Sequence, residues 1–275
     1  MFELTPGYIV LLPVLGLVLS TMGTLVGLGG GFVLVPVLLY LFPEASPGTI
    51  SSISLSVVFL NALSATVGNV RARRIDLRTA VLLTVGAIPA SIAGSVMAGM
   101  VSRERFEIAF GVMLVIGAVY VFWRSAKGLQ SGNGNGHAPN REIRERRGPV
   151  YRFYVNTLLA GVISPLAGFV SSFFGIGGGV VHVPAMTFIL KIPPRVVSAT
   201  ALFVLVPTSL AGVLTRIAEG QYHEGWRRAG LLGIGALVGA QLGIYLSTRV
   251  NQRVVLVILA NAMVLVGVRQ IVAGI

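Results

Sequence analysis

The chain has 275 residues, 55% hydrophobic and 11% charged, with no cysteine and a formal net charge of +12. Soluble domains carry about 25% charged residues, so this composition, with a mean hydropathy of +0.86, describes an all-α polytopic membrane protein. The lack of cysteine excludes disulfides, thiol catalysis, iron–sulfur clusters and cysteine zinc sites, and His137, His182 and His223 lie too far apart for a local metal motif.

The first apolar run covers about 7–26, and no basic stretch precedes it, which predicts a retained first helix and not a cleaved signal. Further runs follow at about 32–42, 50–70, 79–100 and 106–123, then at 153–174, 180–190, 196–218, 229–248 and 254–273. Most reach the length that spans a bilayer, roughly 20 residues. Two do not: 32–42 and 180–190 hold 11 residues each, about 16 Å of helix. The expected organisation is a first transmembrane repeat over 1–123, a cytoplasmic linker over 124–152 and a second repeat over 153–275. The linker carries Ser131-Gly132-Asn133-Gly134-Asn135-Gly136 and then Arg141, Arg144, Arg146 and Arg147, a composition expected to be disordered or loosely tethered.

Just ahead of each short run stands a glycine cluster. Gly27-Leu28-Gly29-Gly30-Gly31, with Pro36 five residues on, returns 148 positions later as Gly175-Ile176-Gly177-Gly178-Gly179 with Pro184. Glycine costs a helix interior roughly 1 kcal/mol relative to alanine, so each cluster predicts a helix break. In lipid, broken backbone is tolerated only against protein or a water-filled cavity, and matched breaks in two halves point to a transporter's binding site. The repeat extends further: Ser52 matches Thr200, Asn61 matches Ser209 and, after one insertion, Gly94 matches Gly243. Each half is expected to hold four long helices and one short one.

The relative orientation of the halves stays open. If the short runs re-enter, the repeats are parallel; if each completes a crossing, they are inverted. Both arrangements place 15 Lys and Arg on the linker side and 6 opposite, so the positive-inside rule does not choose. It does place the linker and Arg71-Ala72-Arg73-Arg74 in the cytoplasm. The charge sits between apolar runs, which argues against nucleic acid as partner.

A helix starting after Gly31 or Gly179 presents free N–H groups and a partial positive charge, the elements of an anion site. The expected substrate-binding set is Gly29, Gly30, Gly31, Gly177, Gly178 and Gly179, completed by Ser52, Asn61, His182, Thr200 and Ser209. His182 stands where the first copy has Leu34 and is a candidate donor or proton carrier. Ser51, Ser52, Ser54, Ser198 and Thr200 have a rival reading as helix N-caps. Gln241 and Asn261 read as interhelical glue, and Arg216 as a side chain reaching for the interface. No Asp or Glu falls in the middle of an apolar run, which speaks against a carboxylate proton relay or cation site. Neither a P-loop nor a full dinucleotide fingerprint is present, because Phe32 and Val180 occupy the third glycine position. No cofactor and no catalytic or metal residues are expected.

The paired Gly-x-Gly-Gly-Gly…Pro motifs, the two-half layout and the polar central linker resemble the TauE/SafE family, the sulfite exporter-like permeases of bacteria. The resemblance covers essentially the whole chain. It implies a multi-pass protein of the bacterial inner membrane that exports small sulfur-containing anions such as sulfite or organosulfonates. Rival expectations are an uncoupled anion channel and a permease for another small anion such as a carboxylate. The partners expected are the anionic substrate and membrane lipids, and a homodimer is compatible with the sequence.

Overall fold

The computed structural model describes residues 6–126, 138–146, 148–220, 225–247, 249 and 252–274. His137 and His223 lie outside them. Ten helices and one hairpin follow in order: α1 (Pro6–Val26), α2 (Gly31–Leu41), α3 (Pro47–Ala72), α4 (Leu77–Ala98) and α5 (Arg103–Ala126). After β1 (Arg141–Arg144) and β2 (Val150–Phe153) come α6 (Thr157–Phe174), α7 (Gly179–Pro184), α8 (Pro194–Ala218), α9 (Trp226–Ser247) and α10 (Gln252–Ala273). Six of these are long and apolar enough to cross a membrane.

Burial sorts the helices into an inner pair and an outer shell. In α3 and α8, 67% and 61% of the apolar window is buried, against 28–44% in the other four of these six. The outer helices expose apolar stripes at helical spacing, such as Leu158, Val162 and Leu166 on α6 and Ile234, Val238 and Leu242 on α9. Such contiguous apolar surface is what lipid covers.

Helix starts carry ordinary caps. Ser46 accepts from the Thr49 amide, Asp76 from Thr79 and Asn156 from Leu159, satisfying N–H groups that a first turn leaves open. Because α3 begins at Pro47, Ser51, Ser52 and Ser54 lie inside the helix and are not its caps. In the second short element, Pro184 lacks the N–H that would continue the α ladder, and the chain passes into a π turn over Ala185–Ile189.

The second part of the linker is ordered, against the expectation of disorder. β1 pairs antiparallel with β2, Glu142 opposite Arg152 and Ile143 opposite Tyr151. Ile143 and Tyr151 pack against the core, apolar groups that a reading weighted toward the linker's charge overlooks, and Phe153 and Val155 just beyond the linker are buried there. The hairpin docks on the α3–α4 turn: the Arg146 amide donates to the Ala72 carbonyl at 3.1 Å. Arg74 pairs with Glu145 at 3.3 Å, and Arg141 with Asp76 at 3.6 Å. This side of the molecule is called the hairpin face below.

Helix directions answer the open question of orientation. The C-terminal end of α3 meets the hairpin, whereas α8 begins there, with Thr200 accepting from the Asp76 amide. α4 starts at the hairpin face, and α9 ends beside Arg74 and Arg195. Along α5 and α10, Gly111 faces Gly267, Gly117 faces Met263 and Gly274 faces Ile108, an antiparallel pairing. Corresponding helices of the two halves thus run in opposite directions. Packing partners exchange in step: α1 lies on α9 as α6 lies on α4, and α3 on α9 as α8 on α4.

Candidate functional site

The two glycine breaks meet in the interior. Gly27, Gly29 and Gly30 hold φ values of 88, 76 and 80°, and Gly175, Gly177 and Gly178 hold 72, 75 and 58°, a region that side chains other than glycine enter at a cost. These left-handed residues fold the chain back, so that α2 starts beside the middle of α1. A Cβ on Gly30 would stand 2.8 Å from the Leu19 carbonyl oxygen. α2 then returns toward the end where α1 began, where the Tyr8 and Phe42 rings lie 5.9 Å apart. The second break does the same beside Ser171 of α6 and leads back to the hairpin face.

Across the junction, a Cβ on Gly31 would lie 2.7 Å from the Ile176 Cα, and one on Gly179 would lie 2.5 Å from the Leu28 Cα. Backbone touches backbone there, and only hydrogen fits between. The six glycines of the expected set are therefore brought together, with Val58 of α3 against both Gly29 and Gly177.

The breaks differ in their free donors. No side chain caps either short helix. In the first, the backbone ladder resumes only with the Leu34 amide donating to Gly30, so the amides of Gly31, Phe32 and Val33 precede it. In the second, the Gly177 amide donates to Ser171, Gly179 to Gly177, and Val181 and His182 to Gly178. The symmetric cradle expected from the motif is thus better furnished on the first side.

Side chains compensate on the second. Nδ1 of His182 lies 3.0 Å, and Oγ of Ser171 3.2 Å, from the point where a Gly178 Cβ would be. Neither His182 nitrogen, nor Ser171 Oγ, nor Asn61 Nδ2 has a hydrogen-bond partner among the described residues, and all are buried. Asn61 Nδ2 reaches to 3.9 Å from the Cβ position of Gly29, while its Oδ1 accepts from Thr24 Oγ1 at 2.8 Å. A buried polar group without a partner costs about 1–3 kcal/mol, so a cluster of them marks room for a ligand or water.

Other expected residues are engaged elsewhere. Ser52 donates to its own helix at Gly48 (2.7 Å), and Ser209 donates likewise to the Leu205 carbonyl. Thr200 belongs to the α4 start. Gln241 does join helices, donating to the Ser64 carbonyl at 2.7 Å, but Asn261 donates to Val257 of its own helix. Arg216 does not reach an interface: it is fully buried, 3.7 Å from Glu219.

The two sides of the junction differ. Toward the hairpin, a small pocket of about 20 Å³ is lined by Thr24, Asn69, Arg74, Arg195, Ser198 and Ser247 together with Leu25, Leu202 and Ile244. Arg195 hydrogen-bonds the Tyr151 hydroxyl; burial, with help from the Glu145 carboxylate, pushes that phenol above its ordinary range, so it stays neutral. Toward the opposite face, Ser91 and Ser172 hydroxyls lie 2.5 Å apart, Ser91 donates to Thr208 and Ser95 to Gly212. Phe106, Phe110, Phe173 and Phe174 stack alongside. Thr24, Ser171 and Ser172 escaped the sequence reading, yet a signal existed: Gly23-Thr24 and Ser171-Ser172 are small residues at the repeat spacing, immediately before each break.

The family description "Sulfite exporter TauE/SafE" matches residues 12–270. The chain is 28% identical over 273 residues to the probable membrane transporter protein YunE of Bacillus subtilis, covering 97% of this chain and 98% of that one. It is 25% identical to a probable membrane transporter protein of Methanocaldococcus jannaschii, over 94% of this chain and 95% of that one. A shorter stretch of 87 residues, 32% of this chain and 19% of the other, is 31% identical to Sulfite exporter TauE/SafE family protein 5 of Arabidopsis thaliana. No solved structure matches. With the family description spanning nearly its whole length, the chain is a multi-pass membrane transporter belonging to the TauE/SafE family.

Proposed function

We propose that this transporter exports small sulfur-containing anions, sulfite or organosulfonates, across a bacterial cytoplasmic membrane, by alternately exposing the junction of the two breaks to either side. The hairpin face is the cytoplasmic one, as the positive-inside rule expects. What carries the reading is the set of unpartnered donors at the junction. The early amides of α2, Asn61 Nδ2, Ser171 Oγ and the His182 imidazole offer hydrogen bonds from both breaks to one small group. An oxyanion accepts from all of them, and charge-assisted bonds to such an ion are about twice as strong as neutral ones. The N-terminus of α2 adds its share of helix dipole. No metal-binding cluster of His, Asp or Glu occurs among the described residues, so a divalent cation finds less there than an anion does. An inside-negative potential drives an anion outward by about 2.3 kcal/mol per charge per 100 mV.

The hydroxyl hydrogen bonds that close the side away from the hairpin support alternation over an open channel. The test is counterflow of radiolabelled sulfite in proteoliposomes. Saturable exchange, reduced at least tenfold (about 1.4 kcal/mol) by His182→Gln and by Ser171→Ala, supports the proposal. Non-saturating flux without exchange indicates a channel. Full activity in both variants removes the junction from the mechanism.

A further inference from the structure

The hairpin-face pocket holds chemistry that the junction does not use. Its lining includes two arginines, Arg74 just past α3 and Arg195 in the first turn of α8, with Asn69, Ser198 and Ser247. Both arginines are half-buried and held by the hairpin: Arg74 by the Glu145 carboxylate at 3.3 Å, Arg195 by the Tyr151 hydroxyl. The other nearby ion pair, Arg141 with Asp76, is internally balanced. Two cations thus share one carboxylate, and that carboxylate comes from a two-stranded arm, not from the helical body. Thr24 also lines the pocket, and its hydroxyl donates to Asn61, the residue whose Nδ2 lies 3.9 Å from the Cβ position of Gly29.

We propose that this pocket is a second small-oxyanion site, a vestibule in which Arg74 and Arg195 together hold the anion before it passes Thr24 and Asn61 to the junction. The inference rests on the anion-transport reading. Guanidinium forks match oxyanions by paired hydrogen bonds, and the occupant takes the place of Glu145 on Arg74. Loading the vestibule therefore loosens the hairpin from the α3–α4 turn. Lipid phosphate offers the same chemistry as a free sulfonate or sulfate, so the test must separate the two sources.

The chain has no cysteine, so Ser247→Cys places a single thiol in the pocket wall. Its modification by a neutral, membrane-impermeant maleimide is timed in phosphatidylcholine nanodiscs. Sulfate or methanesulfonate is added against chloride at equal ionic strength; sulfite itself would consume the reagent. The expected result is saturable protection of about fivefold (close to 1 kcal/mol), lost when Arg74→Gln or Arg195→Gln is added. Glu145→Gln, which frees Arg74, lowers the half-protecting concentration severalfold, and this gain cannot arise from misfolding. Absent protection in the Ser247→Cys protein with both arginines intact, or protection that survives both arginine substitutions, overturns the vestibule. So does protection that appears only in phosphatidylglycerol discs without added anion, which assigns the pocket to a lipid headgroup. Protection that persists while no anion is exchanged in proteoliposomes leaves the site standing and removes the transport reading instead.

Discussion

Thr24 and Ser172 occupy matching places just before the two glycine breaks, and their surroundings have diverged. Thr24 bonds to Asn61 and lines the small pocket on the hairpin side, whereas Ser172 is locked against Ser91 beneath the Ser95–Gly212 bond. Backbone geometry at the breaks is nearly the same, so glycine placement alone does not make a face open or closed. A few hydroxyl hydrogen bonds do, each worth about 0.5–1.5 kcal/mol net. Bonds of that size can form and break as one half moves against the other, which suits a site that must face each side in turn.

The largest expected effect comes from forcing the two breaks apart. Gly179→Leu puts a side chain where the Leu28 backbone stands, and overpacking of this kind costs about 1–3 kcal/mol or more. Thermal unfolding in detergent should shift downward and counterflow should vanish. Gly161→Ala, with nothing within 4 Å of the new methyl, should leave both unchanged. A Gly179→Leu protein with full transport would mean that the contact between breaks is incidental.

Unsealing the closed face comes next. Ser91→Ala removes two bonds of the Ser172–Thr208 lock, so hydrogen exchange over the facing parts of α4 and α8 should quicken about fivefold or more. Unchanged exchange would show that the aromatic stack, not the hydroxyls, holds this face shut. On the hairpin side, Thr24→Val leaves Asn61 Oδ1 without its donor. The substrate KM should rise by a few fold, equivalent to about 1 kcal/mol, with no loss of folded protein; an unaltered KM would take Thr24 off the route. The smallest effect is expected at the hairpin's outer edge. Arg152 and Glu142, 3.0 Å apart but largely solvent-exposed, form a pair worth about 0–1 kcal/mol, and Glu142→Gln should change neither stability nor transport measurably.

The legible parts of this protein are those written in local chemistry. Runs of apolar residues predicted the helices, and the glycine clusters marked both breaks: Gly31 and Gly179 do start helices, and the three preceding glycines of each copy do adopt positive φ. Less visible was anything that depends on what a side chain meets. Ser52 and Ser209 look like Asn61 as polar residues in apolar helices, yet they bond to their own turns while Asn61 Nδ2 stays unpartnered. Arg216 has the sequence position of an interfacial residue and a fully buried location. The linker looked featureless because charge outweighed the few apolar residues, Ile143 and Tyr151, that pack the hairpin onto the body.

By itself, then, the sequence determined that the chain is a polytopic helical protein, where its helices break, and that its two halves share an order of elements. Each follows from short-range rules: hydrophobic length, backbone freedom at glycine and capping at helix starts. Only the tertiary structure decided that corresponding helices run in opposite directions, that the two breaks touch, and that Thr24, Arg74 and Arg195 line one pocket on the hairpin side. Those features rest on contacts between residues more than a hundred positions apart, such as Gly31 with Ile176 and Asp76 with Thr200. A charge count that came out equal for either orientation could not foretell them.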